Sequence, residues 1–261
     1  MKSVVYYFTG TGNSLAAART IAAGLGDCEL VPVASLRDTT GIIVPPAERV
    51  GIVCPIYFSG LPLMVAEFAA RLDLSRTRYT FAVVTLGGSG GSPTLRQLDS
   101  ILRGHGRGLD AGFSVKMPGN YIFMYGSPSG KKQANLIASS VTQIAEMIPV
   151  IDRCEHRPLP GSILGRVMHA VAYPWFTSHA RTEDHKFTVT GSCTSCGTCA
   201  AVCPAGNITM VDGKPCWNHR CEVCCACIQL CPVQAIQAGS ETARRGRYRH
   251  PELKIDEMKK R

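Results

Sequence analysis

The chain lacks most of the signatures that assign a chemistry at first reading. No secretory signal opens it, so the expectation is a cytoplasmic protein whose thiols stay reduced, and its 13 cysteines in 261 residues are not a disulfide framework. Its glycine-rich turn near the N-terminus has neither the lysine of a P-loop nor the G-x-G-x-x-G spacing of a dinucleotide fold, which argues against ATP and NAD as occupants. The seven histidines form no H-x3-H or similar pair, so none is assigned to a metal. No thiol-nucleophile motif, clear acid–base pair or nucleic-acid-binding module is present. There is no membrane span either, because the apolar segment Ser162 to Phe176 is short and is interrupted by Arg166 and His169; a linker helix is the first reading of it and attachment to a membrane surface the second.

What is present begins with the cysteines. Cys193, Cys196, Cys199 and Cys203-Pro204 are followed by Cys221, Cys224, Cys227 and Cys231-Pro232, which is C-x2-C-x2-C-x3-C-P written twice and implies internal pseudo-twofold symmetry. Structural zinc would want two separated C-x2-C knuckles around one ion, whereas these cysteines come as fused triplets. Proline removes a donor and turns the chain away just after the fourth cysteine of each run. Of the other five cysteines, Cys28, Cys54, Cys154, Cys216 and Cys225, most are expected to be small buried hydrophobes, Cys225 being adjacent to the run without fitting its spacing.

At the opposite end, Lys2 to Phe8 reads as a buried strand running straight into Thr9-Gly10-Thr11-Gly12-Asn13-Ser14 and then a helix whose Leu15, Ala18, Ala22 and Leu25 share one face. Strand, hydroxyl-rich glycine turn and helix N-terminus together make an anion site, and the natural anion is a phosphate. Further strands are expected at Glu29–Val33, Arg49–Cys54, Tyr79–Thr85 and Gly112–Met117. Helix faces are expected at Leu61/Val65/Phe68/Leu72, Leu95/Leu98/Leu102 and Ile137/Val141/Ile144/Ile148. Five strands alternating with helices over about 150 residues fit one doubly wound α/β domain.

These two ends carry a resemblance. The cysteine run is similar to that of bacterial two-cluster ferredoxins, in which three cysteines of each run hold one cubane and the fourth crosses to the other. The resemblance implies one [4Fe–4S] cluster on Cys193, Cys196, Cys199 and Cys231, and a second on Cys221, Cys224, Cys227 and Cys203. The N-terminal turn resembles the flavodoxin loop T/S-x-T-G-N-T/S, matched by Thr9, Thr11, Asn13 and Ser14, which in that family cradles the phosphate of FMN. The whole chain therefore resembles the flavodoxin–ferredoxin fusions of anaerobic bacteria and archaea. The implied architecture is a flavodoxin-like parallel sheet of order 2-1-3-4-5 (residues 1–152), a linker with a helix lying against one domain (153–185), an α+β 2[4Fe–4S] ferredoxin domain (186–240) and a basic tail (241–261).

In such sheets the ligand lies beyond the carboxyl ends of the strands, where the strand order reverses. Three loops must meet there: Thr9 to Ser14; Pro55, Ile56, Tyr57, Phe58, Ser59 and Gly60; and Thr85, Leu86, Gly87, Gly88, Ser89 and Gly90. Tyr57 and Phe58 are candidates to stack on the flavin ring, or simply to pack the loop. The glycines of the third loop point to close backbone approach to a ligand, with Ser89 near the ring's polar edge. The aromatic stretch after the fifth strand, Met117 to Pro128, would lie beside the flavin and adds Asn120 and Tyr121 as a lid or substrate wall, or else as an apolar plug over the junction to the second domain, with Tyr121 or Tyr125 as candidate proton donor.

The net charge of +9 falls to roughly +3 once two clusters and a flavin phosphate are counted, so nucleic acid is not the expected partner. An acidic electron-transfer protein such as a ferredoxin is the expected one. The tail, with Arg244, Arg245, Arg247, Arg249, His250, Lys254, Lys259, Lys260 and Arg261, is expected to be solvated and partly disordered. Two functions remain: a ferredoxin-fed reductase of a small organic acceptor, or an electron carrier with no substrate of its own.

Overall fold

A computed structural model describes residues 1–259. Strands β1 (Ser3–Tyr7), β2 (Cys28–Pro32), β3 (Arg49–Pro55), β4 (Tyr79–Leu86) and β5 (Ala111–Lys116) form one wholly parallel sheet of order β2-β1-β3-β4-β5. This is the flavodoxin-like order expected from sequence. Parallel strands need crossover helices, and those helices bury both faces of the sheet. The alternation is legible in β1, which sends Val4, Tyr6 and Phe8 into one layer and Val5 and Tyr7 into the other. Helices α2 (Leu63–Ala69) and α3 (Gly91–Gly104) cover the first layer; α1 (Asn13–Leu25) and α4 (Gly130–Asp152) cover the second.

Three expectations shift locally. Two strands begin and end one residue early, because Val33 already belongs to a short 3-10 turn and Met117 opens the loop after β5. The α2 pattern is longer than the helix, since Pro62 starts it and Leu61 and Leu72 bury themselves from flanking turns. On α4 the inner line is Ser140, Ile144 and Ile151, while Val141 is turned to solvent. Among the described residues α4 is the one helix long and apolar enough to cross a membrane; here it lies along α1 and β5.

The cysteine-rich part is built twice. Strands β6 (Phe187–Val189) and β9 (Ile236–Ala238) pair antiparallel, as do β7 (Ile208–Val211) and β8 (Lys214–Trp217), and helices α6 (Thr198–Ala201) and α7 (Ala226–Gln229) sit between them. Its halves repeat at an interval of 28 residues in backbone conformation as well as sequence. The left-handed residues Ser195, Gly197 and Gly206 recur as Val223, Cys225 and Gln234. The bond from Thr190 N–H to the Ala235 carbonyl has its mate in Asn218 N–H to the Asn207 carbonyl.

Two segments behave differently from expectation. Helix α5 (Ile163–Ala180) does not rest on one domain alone. It contacts α3, and its Phe176 and Ala180 join the apolar cluster of the cysteine-rich part. The tail keeps charged residues such as Arg244, Arg249, Lys254 and Lys259 exposed, but it is anchored to the protein by apolar and polar residues between them. Thr242, Tyr248, His250, Leu253 and Met258 are buried, the last two in the core between sheet and α1, and Arg19 pairs with Glu257 in the short helix α8 (Ile255–Lys259). The apolar residues spaced among the arginines supply burial that a composition count hides. Lys260 and Arg261 lie outside the described residues.

Candidate functional site

The loops after β1, β3, β4 and β5 converge at the carboxyl edge of the sheet around a cleft. Of the residues expected there, Gly10, Thr11, Asn13, Ser14, Pro55, Ile56, Tyr57, Phe58, Ser59, Thr85, Leu86, Gly87, Gly88, Ser89, Asn120, Tyr121 and Tyr125 line it. Thr9, Gly12, Gly60 and Gly90 do not line it; they shape the loops from behind. The Thr9 hydroxyl accepts the Gly12 N–H at 3.0 Å and closes the turn. Gly12 has φ +108 at the start of α1, where side chains are strained, and a Cβ there would press on His250 and Leu253. Gly60 leaves room for the Tyr173 ring, and Gly90 is the left-handed residue before α3.

The wall also includes Pro118, Gly119 and Met124 from the aromatic stretch after β5, and Phe176, Val223, Cys224 and Cys225, which no loop motif indicated. Phe176 belongs to α5 and the last three to the cysteine-rich part, so only the tertiary packing brings them here. The lining carries no charged side chain. An anion in the cleft would therefore be held by the N-terminal amides of α1, with the hydroxyls of Thr11 and Ser14 beside them. Ser14 and Thr85 share a hydrogen bond of 2.8 Å across the two loops.

Aromatic rings roof the cleft. Phe58 stacks on Phe176 at 5.0 Å between centroids and meets Tyr121 edge-on at 5.5 Å; Tyr57 packs edge-on against Phe8 and Phe176. Phe58 and Ser59 both have positive φ, a strained conformation that their packed surroundings must hold. Burial pushes the phenols of Tyr121 and Tyr125 above their usual range, so both keep their protons at neutral pH.

Behind the cleft lie two cavities walled by cysteine. One is bounded by Cys203, Cys221, Cys224 and Cys227 together with Cys225; the other by Cys193, Cys196, Cys199 and Cys231. These are the two crossed quartets the resemblance implied. Backbone amides aim at the sulfurs in matched fashion: Asn207 N–H donates to Cys203 Sγ at 3.3 Å, and Ala235 N–H to Cys231 Sγ at 3.2 Å. Burial pushes the Cys221 and Cys227 thiols well up. Among the described residues no three His, Cys, Asp or Glu side chains converge tightly enough for a single ion. Four cysteines facing a common space, with backbone amides aimed at their sulfurs, offer the donor chemistry that an iron–sulfur cluster requires.

Of the remaining cysteines, Cys54 and Cys225 are buried, Cys28 and Cys154 half-buried, and Cys216 is exposed on β8. Cys216 is exposed because one face of a two-stranded ribbon stays open to solvent.

Cleft and cavities share walls. Cys224 bounds both the cleft and one cysteine cavity, and a Cβ on Gly10 would run into the Cys224 carbonyl. A chain of hydrogen bonds then ties four segments together. Tyr248 Oη donates to Asn13 Oδ1 at 2.6 Å, Asn13 Nδ2 to the Pro118 carbonyl at 3.0 Å, and Asn120 Nδ2 to Thr11 Oγ1 at 2.5 Å. Gln229 Nε2 donates to the Asn120 carbonyl at 2.8 Å while its Oε1 accepts the Tyr248 N–H at 2.8 Å, and His250 N–H donates to the Thr11 carbonyl at 2.9 Å. On the other side Glu222, buried and pushed up to about 7 against the pull of Arg181, accepts from Arg181 at 2.6 Å and from the Met64 amide at the start of α2.

No protein-family model matches the chain, and no curated protein matches it. Among solved structures it is similar to the two-electron reduced flavodoxin of Megasphaera elsdenii (18% identity, 53% of this chain and 97% of that one, TM-score 0.34). It is likewise similar to a flavoprotein of Lactobacillus acidophilus in complex with FMN (12%, 43% and 91%, TM-score 0.35). A third is an FMN-dependent NADH-azoreductase of Bacillus anthracis (8%, 58% and 100%, TM-score 0.40). The likenesses to the flavodoxin and the flavoprotein span about half of this chain or less.

Proposed function

We propose that the protein is a flavo-iron–sulfur electron-transfer protein, with FMN in the cleft and a [4Fe–4S] cluster in each cysteine cavity. The observation that carries the reading is the wall shared at Cys224, which would put one cluster ligand against the flavin site. When bound, the clusters would supply single-electron transfers and FMN one- or two-electron transfers. Thr11, Ser14 and the first amides of α1 would hold the phosphate, and the loops at Tyr57–Ser59 and Leu86–Ser89 the ring. Cys193, Cys196, Cys199 and Cys231 would hold one cluster, and Cys203, Cys221, Cys224 and Cys227 the other.

The chain's own residues fit a reductase of a small organic acceptor, fed by an acidic ferredoxin-like protein. Phe58, Tyr121 and Phe176 give the cleft an apolar aromatic roof, and the protonated phenols of Tyr121 and Tyr125 line it, where each could give a proton to an acceptor. The absence of charged side chains from the lining favours a second reading, a carrier that passes electrons between proteins.

Anaerobic reconstitution followed by analysis tests the proposal. About eight iron and eight sulfide per chain, with FMN retained more tightly than riboflavin, is the expected result. Iron without flavin would remove the N-terminal half of the reading, and zinc or no metal in the cysteine cavities the C-terminal half. Ferredoxin-fed reduction of a quinone or nitroaromatic panel, slowed in Tyr121→Phe or Tyr125→Phe, separates the reductase from the carrier.

A further inference from the structure

Helix α5 turns an apolar face outward. Ile163, Leu164, Val167, Met168, Val171 and Trp175 are 52% to 84% exposed and follow helical spacing along one side. The opposite side holds the helix to the protein: His169 Nδ1 bonds the Ser59 carbonyl at 2.8 Å, Tyr173 fills the space over Gly60, and Phe176 and Ala180 are buried. The exposed stripe is thus not the missing half of an internal contact. A contiguous apolar surface of this kind on a folded protein marks an interaction site.

The charge around the stripe narrows the occupant. From His156 to Thr182 there is no Asp or Glu, but there are Arg157, Arg166 and Arg181 and three histidines. Arg181 is engaged with Glu67 and Glu222, and Arg157 with Glu155, while Arg166 is exposed beside the stripe. An apolar helix face with a Trp at one end, the exposed Arg166 beside it and no acid within the helix itself is matched to the headgroup boundary of an anionic bilayer, where the helix lies in the surface plane. The stripe also continues into the cleft. Trp175 packs on Phe58 at 5.6 Å, Phe58 on Tyr121, and Tyr121 on Tyr125, and Met124 and Tyr125 are exposed at the rim.

We infer that α5 docks the protein on an anionic lipid surface with its cleft opening toward the membrane. The contact is peripheral and spans nothing. It needs no cofactor, and so stands or falls apart from the proposed electron transfer.

The test is flotation of the full chain, purified anaerobically, with vesicles of phosphatidylcholine mixed with phosphatidylglycerol, and with vesicles of phosphatidylcholine alone. The expected result is co-flotation with the mixed vesicles, at least about tenfold weaker on the neutral ones and weakened by high salt. Val167→Glu with Val171→Glu should abolish flotation, and Arg166→Glu should reduce it, with circular dichroism and bound iron unchanged. Failure to float with either vesicle overturns the inference. So does a dimeric mass in solution that Val171→Glu converts to monomer, because the stripe is then an interface between two copies of this chain.

Discussion

Replacing Tyr248 with Phe removes one oxygen and leaves the ring. The ring is 1% exposed and its packing survives; what disappears is the bond to Asn13 Oδ1, itself in a side chain only 9% exposed. Asn13 keeps its donation to Pro118 but its Oδ1 loses its donor, and stranding a buried acceptor costs about 1–3 kcal/mol. The cost falls on the docked tail, because Tyr248 reaches Asn13 only when 242–258 lies on the phosphate-type loop. Trypsin reads this directly. Arg249 sits between buried Tyr248 and His250, so cleavage there requires the tail to lift away. In the regime where lifting is fast relative to cleavage, the rate follows the lifted population, and Tyr248→Phe should cut roughly 5- to 150-fold faster than the parent, after correction for the cleavage rates of the unfolded peptides. A change smaller than about twofold would show that the hydroxyl does not hold the tail down.

Further outcomes follow from the same contacts. Gly10→Ala forces a methyl into the Cys224 carbonyl, so it should weaken FMN binding and lower iron retention together, measured by flavin fluorescence and iron analysis; loss of only one would break the claimed shared wall. Cys224→Ala should reduce iron by about half, leaving the Cys193, Cys196, Cys199 and Cys231 cavity filled. Arg247 buries Nε and Nη1 without partners and faces Cys225 and Cys231, so Arg247→Gln should lower a cluster midpoint potential, by about 40 mV for each kcal/mol of attraction lost, as read by an EPR-monitored titration. Burial lowers the pKa of His250, whose Nδ1 also lacks a partner, so the folded protein resists protonation that the unfolded chain accepts. Stability should fall as pH drops through the unfolded value of about 6.5 toward the folded one, and His250→Asn should flatten that part of the melting-temperature profile.

Much of the fold was legible because parallel strands buried on both faces must be nearly continuous runs of apolar residues, as β3 and β4 are. The turn from Thr9 to Ser14 was likewise legible as a glycine-rich turn that opens a helix, the geometry it adopts before α1. The cysteine spacing named both quartets before any geometry was known. What spacing does not encode is which surfaces meet. Cys224 and Cys225 face the cleft only because Gly10 lets two backbones touch, and Phe176 arrives from a helix that composition reads as a linker.

The tail was misjudged for the same reason. Its arginines dominate the sequence, yet three of its intervening residues, Tyr248, His250 and Leu253, lie against the loop and core at Asn13, Thr11 and α1. The sequence alone determined the local chemistry of this protein: which residues offer sulfur, amides or hydroxyls, and at what interval. The tertiary structure decided adjacency, because burial and hydrogen bonding between residues more than 100 positions apart depend on shape that no short window of sequence contains.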